Sequence, residues 1–267
     1  MHKLLGLSFF LLASGLQAQN LIPNPGFEQC DLCDSRGVKE LGIGSGANMP
    51  PDWNAATFGT PDFQSVTPRS GKRHGGFFTG FGKFEYLANH FSEPLTAGAR
   101  YRFSFWIRPA TNGSNNFAVD EMGVFFQKGM PDYRQAEPLK QLVPHFSTPD
   151  QQHLQGEYQL IRFEYTACGG EDHFIVGRFR ALDSGDTTFI GTKRPVNPAT
   201  EAIYYFVDDF EMIALEPPVV VDLLPETIVL CPDEIKFIRI PAPYDQGNIL
   251  WSNGKTLPEI DVPRSPW

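Results

Sequence analysis

The chain has 267 residues, 22 basic against 31 acidic side chains, and a formal net charge of −9. An acidic surface of this kind disfavours nucleic acid and anionic membranes as partners. Its 25 Gly, 23 Pro and 23 Phe speak for many turns around an aromatic-rich core and against disorder.

The chain opens on a targeting segment. His2 and Lys3 give a short basic start, Leu4 to Leu12 (LLGLSFFLL) is almost wholly apolar, and Ala13 to Ala18 is small and polar. That is the pattern of an export signal over residues 1–18, cut after Ala18. A membrane span needs roughly 20 apolar residues, about twice this run, and no later stretch is long enough either. The mature chain is therefore expected outside the cell or on its outer surface, with no transmembrane span.

Asn20 to Glu28 (NLIPNPGFE) reads as a short edge strand closed by a Pro-Gly turn, with Phe27 anchored in a core and Glu28 beside it. Further on, strand patterns dominate. Tyr101, Phe103, Phe105 and Ile107 alternate with Arg102, Ser104, Trp106 and Arg108, the period of a half-buried strand. Met122, Val124 and Phe126 repeat the pattern around Gly123, and Gln159, Ile161, Phe163 and Tyr165 lie opposite Leu160, Arg162 and Glu164. His173 to Phe179 and Tyr204 to Met212 are further strands. Turn clusters such as Thr111 to Asn116 and Asp183 to Asp186 separate them. Only Ala136 to Val143 has a helical flavour, limited by Pro138. Short strands without βαβ alternation predict an all-β fold, an antiparallel β-sandwich of jelly-roll type over residues 20–215.

Glu216-Pro-Pro-Val-Val-Val-Asp222 reads as an extended linker over 216–225, since tandem prolines stiffen such a segment. Residues 226–267 look like two or three strands of a second sandwich. A complete one needs about 100 residues, so this unit is expected to be incomplete.

Four cysteines are present: Cys30, Cys33, Cys168 and Cys231. In an exported chain, disulfides are the default. Cys30 and Cys33 could close locally, or one of them could join Cys168; loop entropy favours the longer bridge, about 5 against about 2 kcal/mol, but geometry must permit it. Cys231 has no obvious partner.

Catalytic patterns are poor. No HExxH or nucleophile elbow occurs, and Gly42-Ile-Gly-Ser-Gly46 lacks the Lys-Ser/Thr of a phosphate loop. The acid pairs Asp120-Glu121, Glu171-Asp172 and Asp208-Asp209 are strand neighbours that point to opposite faces. They read as solvated or structural. In the last strand, if Phe206 and Phe210 face the core, alternation places Asp208 on their side and Asp209 on the other.

Several segments together carry a resemblance: NLIPNPGFE at 20–28, Met49-Pro-Pro-Asp-Trp53, Gly59-Thr-Pro-Asp-Phe63, Glu85-Tyr-Leu87 with Pro94 to Gly98, Phe117 to Phe126, Gly169-Gly-Glu171 with Ile175 to Phe179, and Tyr205 to Phe210. In this order they resemble the carbohydrate-binding-module-like jelly rolls (families 4, 9 and 22, galactose-binding-domain-like) of surface proteins from gliding, type IX-secreting bacteria. The tail, with Leu230 to Glu234 and Leu250 to Gly254, resembles the start of an immunoglobulin-like module. Gln64-Ser-Val66 lacks a cysteine common in that family, and Cys168 stands where one is unusual, so no disulfide scheme carries over.

The resemblance implies a structural Ca²⁺ held by Glu28 and Asp208, with Asp209 in reserve and backbone carbonyls completing the shell. Hard oxygen ligands suit that ion. The competing reading is that these acids accept backbone N–H bonds or pair with an arginine. Trp53, Asp62 and Trp106 are the candidates for contacting a polysaccharide or cell-surface glycan, through ring faces and a carboxylate. The expected function is a non-catalytic exported binding module. The alternatives are a structural spacer or interaction domain of a larger surface protein and, remotely, a glycoside hydrolase.

Overall fold

The computed structural model describes residues 19–30, 39–42, 50–111, 115–135, 138–149, 154, 156–183, 185–191, 201–216, 237–239 and 259–261. The expected export signal, most of the expected linker and most of the expected C-terminal unit lie outside these residues. Described strands, in chain order, are β1 (Lys39–Glu40), β2 (Asn54–Ala55), β3 (Asp62–Gln64), β4 (His74–Gly80), β5 (Lys83–Phe84), β6 (Leu87–His90), β7 (Arg100–Pro109), β8 (Phe117–Val119), β9 (Gly123–Gln127), β10 (Phe146–Ser147), β11 (Gln159–Thr166), β12 (His173–Gly177), β13 (Thr187–Phe189), β14 (Tyr204–Glu216), β15 (Phe237–Arg239) and β16 (Glu259–Asp261).

The protein is an all-β sandwich. One sheet runs β1-β3-β4-β14-β7-β11 with β5 on β4, the other β10-β9-β12-β6-β2, and every ladder is antiparallel. β8 with β13, and β15 with β16, form separate two-stranded pairs. Alternation explains the interior. Phe103, Phe105 and Ile107 of β7 meet Phe126 of β9 and Phe174 and Val176 of β12 in one core, and Phe103 lies 5.4 Å from Phe126 and 5.1 Å from Phe174 between ring centroids. The strands expected from periodicity are all present, with β14 extending through Glu216. No helix occurs among the described residues, and 140–141 of the segment with helical flavour form a turn.

β4 is a strand that periodicity does not reveal, because Gly75, Gly76 and Gly80 dilute its pattern. The glycines have work to do: a Cβ at Gly75 would stand 2.5 Å from Cζ of Phe27, so the strand is bare where that ring inserts. Phe27 is fully buried and stacks on Trp53 with centroids 4.1 Å apart.

Residues 20–28 are not the expected edge strand. They lie along β14 through single bonds: Leu21 N donates to Met212 O at 2.8 Å, Phe210 N to Pro25 O at 3.0 Å, and Asn20 exchanges bonds with Phe210 O and Met212 N. Pro23 and Pro25 have no N–H to continue a ladder. The first and last elements nevertheless meet.

A bulge in β14 corrects the expected facing of its acids. Asp208 pairs with Trp106 and Glu211 with Ser104, so Asp209 and Phe210 share the space opposite one residue, and Asp209 takes a φ of 49°. An extra residue reverses the inside-outside phase. Phe206 and Asp208 therefore lie on the outer side of the large sheet, while Phe210 returns to the core.

Candidate functional site

The outer face of the large sheet is laid out by register. Across β11, β7 and β14 run the rows Leu160–Trp106–Asp208 and Arg162–Ser104–Glu211, followed by Glu164–Arg102–Ile213. The loop from β3 to β4 folds over part of this face. There Asp208 Oδ2 accepts N–H bonds from Arg69 (3.0 Å) and Ser70 (3.1 Å), and Glu28 Oε1 accepts from Lys72 (2.7 Å) and Arg73 (2.9 Å). Gly71, at φ 58°, lies so close to Glu28 Oε1 that a side chain would collide with it. Asp209 accepts from the Arg69 guanidinium and, at 2.7 Å, from Ser70 Oγ. Glu28 and Asp208 are thus two ends of a clasp closed on one loop, tying the first segment to the last strand.

The clasp is electrostatically demanding. Burial, together with the charge of Asp209, pushes the Asp208 carboxyl up to about 7 in spite of its N–H donors. A Cβ at Gly26 would lie 3.4 Å from Asp209 Oδ1, 3.7 Å from Asp208 Oδ1 and 4.0 Å from Glu28 Cγ, so all three acids approach one glycine. Hard oxygens with excess negative charge suit calcium. Among the described residues no group of three or more His, Cys, Asp or Glu side chains is arranged around a metal position. A calcium ion here would take Glu28 and Asp208 with backbone carbonyls for the rest of its shell.

Beside the clasp lies an open concavity of about 360 Å³. Its floor is Ser104, the small residue between Trp106 and Arg102 on β7, and its walls include Trp106, Leu160, Arg162 and Glu211. The Arg69 guanidinium stands 3.8 Å from the Trp106 ring centroid, a cation–π contact that fixes the indole. Glu211 is held by Arg102 at 3.4 Å and Ser104 Oγ at 3.5 Å. An indole, an exposed Leu side chain and ionic groups around a small-residue floor make a site of ligand size, able to stack an apolar ring face and bond its polar edge. Leu160, Arg162 and Glu211 were not singled out from sequence. Their outward facing was readable from alternation, but which of them neighbour Trp106 depends on strand order and register.

The other two predicted contacts do not join Trp106. Trp53 is wholly buried: its ring is stacked on Phe27 and tilted against Phe210, and its Nε1 donates to Asn24 O at 2.8 Å. A ring with no free face cannot stack on a sugar, and its place in the Asp-Trp loop gave no sign of this. Asp62 is half-buried on β3, accepting a 2.6 Å bond from Tyr204 Oη, with its pKa raised chiefly by burial. Strands β4 and β14 separate it from Trp106.

The remaining acid pairs are held in place. Asp120 and Glu121 surround Arg178, a fully buried guanidinium that also contacts Asp186 at 2.6 Å, and Arg180 bonds Asp120 at 2.7 Å. Glu171 accepts from Tyr165 Oη, Cys168 N and Gly169 N. Cys30 and Cys168 are both disulfide-bonded; Cys33 and Cys231 lie outside the described residues.

No protein-family model matches the chain, and no curated protein does. Solved structures similar to it include a family 61 carbohydrate-binding module, TmCBM61, in complex with β-1,4-galactotriose, at 12% identity over 74% of this chain and 99% of that one, TM-score 0.34. The CBM22-1 xylan-binding domain of Paenibacillus barcinonensis Xyn10C is similar at 11% identity over 72% and 92%, TM-score 0.34. An arabinose-bound α-L-arabinofuranosidase, MgGH51, is similar at 12% identity over 76% of this chain but only 27% of that one, TM-score 0.43. At these identities and scores the likeness carries no ligand or activity across.

Proposed function

We propose that the protein is an exported, non-catalytic glycan-binding module that takes a polysaccharide on the outer face of its large sheet. The observation that supports this reading is the Trp106 concavity, where an indole set by Arg69 borders a floor of Ser104 between ionic walls. Sugars offer an apolar ring face and a rim of hydroxyls, and this site answers both. The face is rigid as well, since Trp106 sits mid-strand on the ten-residue β7, hydrogen-bonded to both neighbours. Binding surfaces built on strands need little reordering when a ligand arrives.

Calcium at the clasp belongs to the same proposal. Held by Glu28 and Asp208, with Asp209 beside them, it would supply positive charge to a crowded set of carboxylates and stiffen the loop that carries Arg69 against Trp106.

The test is affinity electrophoresis and calorimetry on a polysaccharide panel with Trp106→Ala. The expected result is retention by at least one polysaccharide, lost in the variant, with a melting temperature close to that of the native chain. Binding that persists unchanged in Trp106→Ala would remove the site, and a panel without any binder would favour the spacer reading.

A further inference from the structure

We infer that the Trp106 concavity selects acidic polysaccharides, of the uronate type, through Arg162; this rests on the glycan-binding reading above. The inference starts from a local charge count. Two acids line the concavity, and each already faces a guanidinium: Asp209 is paired with Arg69 and Glu211 with Arg102. Arg162 is exposed on the edge strand β11, directly across from Ser104 in register. No hydrogen bond or ion pair engages it among the described residues. In a chain whose formal charge is −9, the one uncompensated charge among the described residues of the site is therefore positive.

Ligand chemistry follows from that imbalance. A neutral sugar stacked on Trp106 would cover the Arg162 head while offering it only hydroxyls, and desolvating an unbalanced charge is unfavourable. A carboxylate on the sugar ring balances it. The planar guanidinium fork matches a carboxylate bidentately, which a lysine in the same place could not do. The geometry divides the work. Trp106 and Leu160 meet the ring face, Ser104 and Glu211 are placed for hydroxyls, and Arg162 sits on the β11 side for the acid group. Because the neighbouring Arg102 and Arg69 are tied to their acids, the selectivity falls on a single residue.

The experiment compares polygalacturonate, alginate and glucuronoxylan with their carboxyl-reduced counterparts, which keep the backbone and lose the charge. Binding to the full chain is measured by calorimetry, for the native protein, Arg162→Gln, Arg162→Lys and Trp106→Ala. The expected result is affinity for an acidic polymer on the order of tenfold above that for its reduced form, weakening as salt rises. Arg162→Gln should erase that preference while keeping the weaker neutral binding, and Arg162→Lys should restore only part of it. Equal affinity for acidic and reduced polymers, still abolished by Trp106→Ala, overturns the selectivity and leaves the glycan site standing. Binding indifferent to Trp106→Ala, or none at all, overturns both. Melting temperatures, expected within about 2 °C of native for substitutions at the exposed Arg162 and within a few degrees for the half-buried Trp106, separate a lost contact from a lost fold.

Discussion

The two outer faces of the sandwich have opposite fates. Over the small sheet, Ile175, Phe125 and Ala88 point outward but are buried in a second apolar cluster with Tyr86, Phe179 and Leu139. The chain between β9 and β10 supplies the cover: Leu139 N donates to Tyr86 Oη at 2.9 Å, and Tyr133 N to Ala56 O at 2.8 Å. Over the large sheet, the β3–β4 loop covers Asp208 but stops at Trp106, leaving Ser104, Leu160 and Arg162 bordering an open concavity. An antiparallel sheet can carry water on one side only if that side is polar. The small sheet has an apolar outside and had to be roofed; the large sheet is covered only over β4 and β14, where Tyr204 and Phe206 are buried, and on its β7–β11 side it carries Arg102, Arg162 and Glu211 and stays open. The surface available to a ligand is the one the chain could leave uncovered.

The largest effect should come from opening the roof. Leu139 is fully buried, and Leu139→Ala is expected to cost about 2 to 5 kcal/mol by denaturant unfolding, with polysaccharide binding unchanged. Trp106→Ala is the mirror case, expected to lose binding at little cost in stability. A Leu139→Ala variant that kept its stability, or lost binding first, would break the contrast between a structural and a functional face.

Calcium should give the next effect, confined to the large-sheet face. Extracellular modules bind this ion with dissociation constants on the order of 10⁻⁴ to 10⁻³ M. At ten times the dissociation constant, linkage contributes about 1.4 kcal/mol, roughly 3 to 6 °C in melting temperature for a domain of this size. The rise should vanish in a Glu28→Gln, Asp208→Asn double variant. No rise in the native chain would leave the clasp as hydrogen bonds to the 69–73 backbone and nothing more.

How much of this was legible depended on whether the signal was local. Period-two alternation in β7 and β11 placed Phe103 and Phe105 inside and Trp106 outside, since pleating alone decides that. The same rule failed in β14, because a bulge at Asp209 is invisible to periodicity and reverses the phase for Phe206 and Asp208. Trp53 failed for another reason. Its burial is set by Phe27 and Phe210, from the two ends of the domain, and a loop motif does not report on partners that distant. The site itself needed both kinds of knowledge: facing, which alternation supplies, and the order β14-β7-β11, which only the folded sheet shows.

The smallest predicted effect is a pH dependence of stability on the clasp side. Asp208 is raised to about 7 by burial and the charge of Asp209, and Glu85 to about 7 by burial and the charge of Asp62. For both, the folded chain binds a proton that the unfolded chain, with ordinary carboxyl values, has already lost. Stability must then fall as pH rises through 7. His74, lowered to about 4 by burial and by Arg108, works the other way: the unfolded chain binds more protons between about 4 and 6.5, so its contribution falls as pH drops through that range. Above pH 7 the histidine contribution is small and the carboxyls dominate. In chelator, the melting temperature should rise as pH is lowered from 8 to 7, and Asp208→Asn should remove at least half the slope, since two similar groups share it. Saturating calcium should flatten the native slope by the same share, because a carboxylate bound to a cation stays ionised. A native slope untouched by both calcium and Asp208→Asn would place the titration at Glu85 alone and remove the ionic argument for the clasp.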